Sequence, residues 1–540
     1  MVYFQHRMDQ CSVKGQCSRL RGLKVPKTES LGRFKLVALL LVGYVLPVAA
    51  QSFNLRIDPF GQSYGETAFS VELGEDGNYV VIASVPFNDG QLYYSAVVTS
   101  IVVSPQGQVL QTERVDYPTH VTYPGWSNSS AKRNDGGFVV GGNTYGVDST
   151  GNNVSRAALF MVAANGSMEG LYEVGPDGQS WIGRQAKQTP DGGYVICGET
   201  SGDAFVIKTD AQGNEEWVRT YGGQWNDYCK SVEPATGGGY YIGGQNTISS
   251  NNIQVWITAL NDTGGVAWTR TWGGSYHDLS AHVVEMADGH VLASSSLGYG
   301  TFGPYRAYLA KLDASDGSFI WQREYGASGD HDIIRSAHEI APFGDLISVG
   351  YTQVPGVGYF GSLLRTTNTG DSLWMRNYQY HDSIVSNAPG LFHDVQPTPD
   401  GGFVAVGSAL NGPATNPYTQ DVWVVKVDSM GCLEPGCHLI TGMETQITNL
   451  RDVLKVYPNP VASGGSVTVT LELPQTFIPE GPLQLTVVDA QGRLVRKENF
   501  TPNNSQLTLH TSTLPYGIYH LHLSDNTRWI SGCKLVVELQ

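Results

Sequence analysis

Four His-Asp dipeptides are the residues whose types first suggest chemistry: His277-Asp278, His331-Asp332, His381-Asp382 and His393-Asp394. A histidine beside a carboxylate can move protons near neutral pH, and both side chains ligate metals, so such pairs suit an acid–base or metal site. Their spacing points elsewhere. The first two pairs fall at one recurring place in a repeat, where Asn226-Asp227 stands in another copy. A residue type that recurs in copy after copy serves each copy's own turn, so a structural role is expected. No GxSxG, HExxH or phosphate-loop motif accompanies the pairs. No catalytic residue and no metal ligand is therefore assigned. Repeated acidic residues along one face would suit calcium, but no segment has the ligand spacing of a calcium loop, and no cofactor is expected.

Aromatic residues are the second candidates. Trp126, Trp181, Trp225, Tyr276 and Tyr380 fall near the turns between repeats, where exposed rings would form a binding rim for sugars or peptides. Trp217, Trp268, Trp321 and Trp374 are different. They lie 51, 53 and 53 residues apart, each after an apolar strand, an Asp or Asn, and a Gly turn. That regularity predicts packing between repeats.

The elements that must carry these residues are short strands. A turn, an aromatic or aliphatic residue and a β-rich run recur seven times: DGNYVVIAS (76–84), DGGFVVGGN (135–143), DGGYVICGE (191–199), GGGYYIGGQ (237–245), DGHVLASSS (288–296), GDLISVGYT (344–352) and DGGFVAVGS (400–408). Each unit holds about four strands in roughly 50 residues, too long for a solenoid rung and too short for a sandwich. Four antiparallel strands repeated radially make a propeller blade. The fold expected is all-β: a seven-bladed β-propeller over residues 51–431, then a small Ig-like sandwich.

The last repeat lacks its fourth strand, because Asp421–Asp428 runs straight into a cysteine loop. Phe53–Gly61 resembles the missing piece, and Glu66 lies 13 residues before Tyr79, as Asp227 lies 13 before Tyr240. The N-terminal strand is therefore predicted to close the last blade. The Asp–Gly–Trp element, best seen in Leu312–Trp321, resembles the tryptophan-docking motif of quinoprotein propellers. The resemblance implies stacking between blades, and the ligands of the quinone have no counterpart here.

Composition fits this reading. The chain has 540 residues, 65 of them Gly, and a net charge of −16 with only 15% charged residues. Residues 36–50, LVALLLVGYVLPVAA after Arg33 and Lys35, read as a signal peptide spanning 1–50. That segment carries a net +6, so the mature chain is near −22, a poor surface for nucleic acid. Cys432 and Cys437 flank a Pro-Gly reversal and are expected to form a local disulfide at the start of a linker over 432–446. Cys197 and Cys229 would allow a second.

From Leu454 the repeat gives way to new alternating strands, such as Val467–Leu473. Tyr457-Pro458-Asn459-Pro460, the hairpin Asp489–Arg493 with Gly492, and Leu514–Tyr519 with Gly517 and Tyr519 make residues 447–540 resemble the type A C-terminal sorting domain of the Bacteroidota type IX secretion system. That resemblance implies export, recognition by the type IX machinery, a secreted or outer-membrane surface location, and attachment of cargo to surface lipopolysaccharide. The function expected is an exported binding module for a glycan or protein, with binding favoured over enzymatic activity and the choice left open. The alternative is a secreted hydrolase or lyase with its site in the central channel.

Overall fold

The computed structural model describes residues 52–538, apart from 61–64, 88–94, 116–120, 150, 251, 301–302, 342–343, 381–387, 411–419, 435, 438–452, 474–478, 480, 491–492, 501–505 and 526–528. The expected signal peptide, His381-Asp382 and Gly492 lie outside the described residues.

Seven antiparallel sheets follow one another along the chain, and each is a blade. Blade one is Thr67–Leu73, Tyr79–Phe87, Ser95–Val103 and Val109–Arg114. Blade two begins with a broken strand, Val121–Pro124 and Ser130–Lys132, and continues through Phe138–Val147, Asn153–Val162 and Met168–Val174. Blades three to six are regular four-stranded sheets running from Trp181 to Tyr378. Blade seven is Gly390–Pro397, Phe403–Leu410 and Gln420–Val427, completed on its outer edge by Phe53–Ile57. Phe53 pairs with Lys426 and Ile57 with Val422. The N-terminal strand thus closes the ring and covers what would otherwise be an open edge.

The Asp-Gly-Gly turn has a separate reason for each residue. Asp191 Oδ1 accepts from the Gly193 amide at 3.0 Å, and Asp400 does the same for Gly402. Gly192 sits at φ +88°, a conformation that side chains resist. A Cβ on Gly193 would collide with the carbonyl of Thr209 on the third strand. That strand also returns a lysine to the turn: Lys208 pairs with Asp191 at 2.9 Å and Lys426 with Asp400 at 2.9 Å.

The four tryptophans lock blade to blade as their spacing suggests. The rings of Trp217, Trp268, Trp321 and Trp374 lie against Gly264, Gly317, Gly370 and Gly431, each in the third-to-fourth-strand turn of the next blade or its counterpart after blade seven. Trp268 Nε1 donates to Ala314 O at 2.8 Å and Trp321 Nε1 to Asn368 O at 3.0 Å. The tyrosine four residues on repeats the grip, with Tyr325 Oη donating to Gly370 O and Tyr378 Oη to Gly431 O. Where the tryptophan is missing, other aromatics serve: Tyr172 of blade two rests on Gly213, and Phe53 on Gly107. Gly431 opens the turn closed by the Cys432–Cys437 disulfide. Cys197 and Cys229 are free thiols buried together between blades three and four.

The C-terminal domain stacks a three-stranded sheet on a five-stranded one, over a core that includes Val467, Leu485, Leu521 and Leu535. The Asn459 side chain clamps the last strand. Its Oδ1 accepts from Val536 N at 2.9 Å and its Nδ2 donates to Lys534 O at 2.6 Å. Tyr519 is buried with its hydroxyl on Pro515 O, whereas Tyr457 is exposed. The segment Trp529–Glu538 is a continuous strand with Ile530 in the core.

Candidate functional site

The innermost strands of the seven blades surround the axis, and their irregularities build the site. Five of them carry a β-bulge, leaving Phe69, Arg184, Lys230, Arg335 and His393 without a cross-strand partner. A bulge re-aims the extra residue out of the alternation of its strand. Side chains from different blades consequently meet on the axis. Lys230 Nζ of blade four donates to Arg335 O of blade six at 2.7 Å and lies 3.5 Å from Ser280 O of blade five. The rings of Phe69 and His393 are 4.8 Å apart. Arg184 pairs with Glu199 and lies over the Trp126 ring at 4.5 Å.

One residue further along, the axis is closed. The break in the innermost strand of blade two sends Asn128, at φ +58°, into the centre. Asn128 Nδ2 donates to Asp394 Oδ1 at 2.9 Å and sits 3.1 Å from His338 Nε2. Its Oδ1 accepts from Gln185 at 2.7 Å and faces His282 Nε2 at 3.1 Å. Blades two, three, five, six and seven therefore meet at one amide. Asp394 is satisfied by Ser70, Ser336, the Val71 amide and Asn128, and lies 3.2 Å from His338. Glu72 accepts from Ser130 at 2.9 Å.

Burial tunes these groups. It lifts the Glu72 carboxyl to about 7, helped by the nearby Asp394. It pushes His282 and His393 well below the usual imidazole range, and the positive Lys230 acts on both in the same direction. It also brings Lys230 down to about 7, with Arg335 adding repulsion. The imidazoles are therefore neutral at physiological pH. Among the described residues, no cluster of three or more His, Cys, Asp or Glu side chains is arranged to hold a metal.

The His-Asp pairs divide accordingly. Asp278 accepts from the Gly298 and Gly274 amides at 2.8 and 3.1 Å, and Asp332 accepts from Thr352 at 2.8 Å. Asp227 does likewise with Gly223 and Thr247. These are staples that fix the turn entering each blade. His393-Asp394 alone among the described pairs lies on the axis.

The rim aromatics also divide. Trp126, Trp225 and Tyr276 are 53%, 42% and 41% exposed, and Tyr380 is half-buried beside Arg56. Trp181 is a correction: it is buried in the core between blades two and three, edge-on to Phe205. It lies 13 residues before Tyr194, where other blades carry the acidic staple, and its ring packs on Gly175 as Asp278 packs on Gly273.

Sequence reasoning missed the basic ring. Its signal was present, since Phe69, Asn128, Arg184, Lys230 and His393 each lie ten residues before the aligned aromatic, and Arg335 eleven before Leu346.

The sheets define a propeller followed by a separate C-terminal β domain. Residues 455–538 match the family model described as the secretion system C-terminal sorting domain. The protein is thus cargo of the type IX system, secreted or on the cell surface. No helix among the described residues is long and apolar enough to cross a membrane. None of the curated proteins matches the sequence. Among solved structures, the chain is similar to a protein of unknown function from Dyadobacter fermentans, at 11% identity and TM-score 0.41, over 70% of this chain and 99% of that one. It is also similar to Sqt1 from Chaetomium thermophilum, at 13% identity and TM-score 0.40, over 70% and 100%. YCF48 bound to a D1 peptide follows at 11% identity and TM-score 0.37, over 70% and 95%.

Proposed function

We propose that the protein is an exported binding module whose propeller face takes a glycan or protein ligand, delivered by the type IX machinery and held at the cell surface by attachment to lipopolysaccharide. The observation that carries this reading is the closure of the axis. Asp394, His282 and Asn128 are buried, and Asn128 bridges the other two by its side-chain amide. A catalytic carboxylate needs access to substrate, and these have none. The exposed Trp126, Trp225 and Tyr276 supply apolar ring faces that a ligand would cover.

The second reading, a hydrolase or lyase, is favoured by the raised Glu72 carboxyl beside Asp394, since perturbed acids concentrate at active sites. A glycan array probed with purified protein, run beside a panel of polysaccharide and peptide substrates, separates the two. Retention of a ligand without turnover is the expected result. Turnover that disappears in Asp394→Asn would overturn it.

A further inference from the structure

Lys230 and Arg335 are cations without a counter-ion in a chain that is strongly acidic. Among the described residues, no carboxylate forms an ion pair with either. The Lys230 ammonium is held only by the carbonyls of Arg335 and Ser280, and Arg335 lies 5.5 Å from the Tyr351 ring centre. The Arg335 Nε is buried with no hydrogen-bond partner. The positive charge at this level of the axis is otherwise answered only at Arg184, by Glu199.

Uncompensated charge shut inside protein costs several kcal/mol, and folds avoid it by pairing such groups. Here the pairing is avoided instead. Blade five carries the small Ala281 where its neighbours carry longer side chains, so Lys230 can reach across to blade six. The three cations keep partial exposure, whereas Gln185, Ser231, His282, Ser336 and Asp394 in the next layer are buried. The basic ring is therefore the last solvent-reached layer above the Asn128 plug. The fall of the Lys230 ammonium toward neutrality has the same origin, a positive charge largely stripped of water and facing Arg335 with no anion beside it.

We propose that Lys230 and Arg335 bind the oxyanion of an acidic glycan, a carboxylate or sulfate, with Trp126 as the platform for the adjoining sugar. This deepens the binding-module reading above and rests on it. Arginine suits such oxyanions because its planar donors match two oxygens at once, and lysine adds a point charge. The sugar is favoured over an acidic peptide by Trp126, which is 53% exposed beside Arg184 on the same ring.

The test is calorimetric titration of the purified protein with oligogalacturonate, a sulfated oligosaccharide, a neutral oligosaccharide and polyglutamate. Acidic saccharides are expected to bind, and the neutral one to bind at least about tenfold more weakly. Lys230→Met and Arg335→Gln should each weaken acidic saccharides about tenfold or more, the loss of one charge-assisted contact. Lys132→Gln, an exposed site, should change nothing. Lys230→Met should melt no lower than the parent, because it removes an unpaired charge, and Arg335→Gln serves if it does not fold. Equal binding of acidic saccharides by both variants would sink the site but leave the binding module standing. Binding of polyglutamate alone, lost in the variants, would make the ligand a peptide and overturn the glycan assignment. No binding of any acidic probe overturns the site, and an array that then also finds no ligand removes the binding module with it.

Discussion

Blades three to six and blades one and two are built on one plan and serve different ends. The later blades keep the docking tryptophan, the turn glycine it rests on and a four-stranded sheet with an unbroken innermost strand. The first two keep the sheet but lose the tryptophan. Blade two also breaks its innermost strand, and through that break come Trp126, Ser127 and Asn128. The regular blades act as a frame, and the irregular blade supplies the plug and the exposed platform. The plug and the platform thus come from a departure from the repeat, whereas the basic residues beside them come from a recurring position on the regular blades.

The sharpest way to break this comparison is Asn128→Ala. It leaves Gln185, Asp394 and two histidines short of a partner at once, and places alanine at positive φ. The expected loss is about 3 kcal/mol or more in urea unfolding. An unchanged midpoint would mean the plug does not hold the ring. Trp321→Ala tests the frame and should cost about 2 to 3 kcal/mol, since the ring is only partly buried. Tyr172→Ala, its counterpart in blade two, should cost less. If Tyr172→Ala proved the more damaging, the division between frame and irregular blades would fail.

The smallest expected effect depends on pH. Glu66 is buried, neither carboxylate oxygen has a hydrogen-bond partner among the described residues, and burial with Asp58 and Asp421 nearby raises its carboxyl to about 9. The folded state thus binds this proton more tightly than the unfolded chain does. Stability from Glu66 is greatest below the usual carboxyl range and is lost as pH rises from about 4.5 toward 9. Glu66→Gln should therefore melt close to the parent at pH 5 and above it at pH 8. A variant that loses stability at pH 8 would contradict the raised value.

Much of the frame was legible in the sequence because its devices are local. An Asp-Gly-Gly turn states its own geometry, and tryptophans near 53-residue steps state their partners. Closure by Phe53–Ile57 could be read because the last repeat lacked a strand and the first residues had one to give. The axis was not legible in the same way. Whether Lys230 points into a blade or onto the axis depends on its being the extra residue of a bulge, and a bulge leaves no mark in alternation. Trp181 was misplaced for a related reason. Distance from a turn does not reveal that a ring has taken the place of an acidic staple. Asn128 shares the repeated position ten residues before the aligned aromatic, but its role as the plug was not legible, since that role exists only where five blades converge.

The seam that closes the ring has a further consequence. Both of its strands, Phe53–Ile57 and Gln420–Val427, lie before the sorting domain, and the disulfide turn that receives Trp374 ends at Cys437. The domain read by the export machinery contributes no strand to the ring. A protease cutting downstream of Cys437 would shed the address while leaving every rung of the seam in place, so ring closure draws no backbone pairing from the tail, although the disulfide loop would lose its contacts with Val488 and His520.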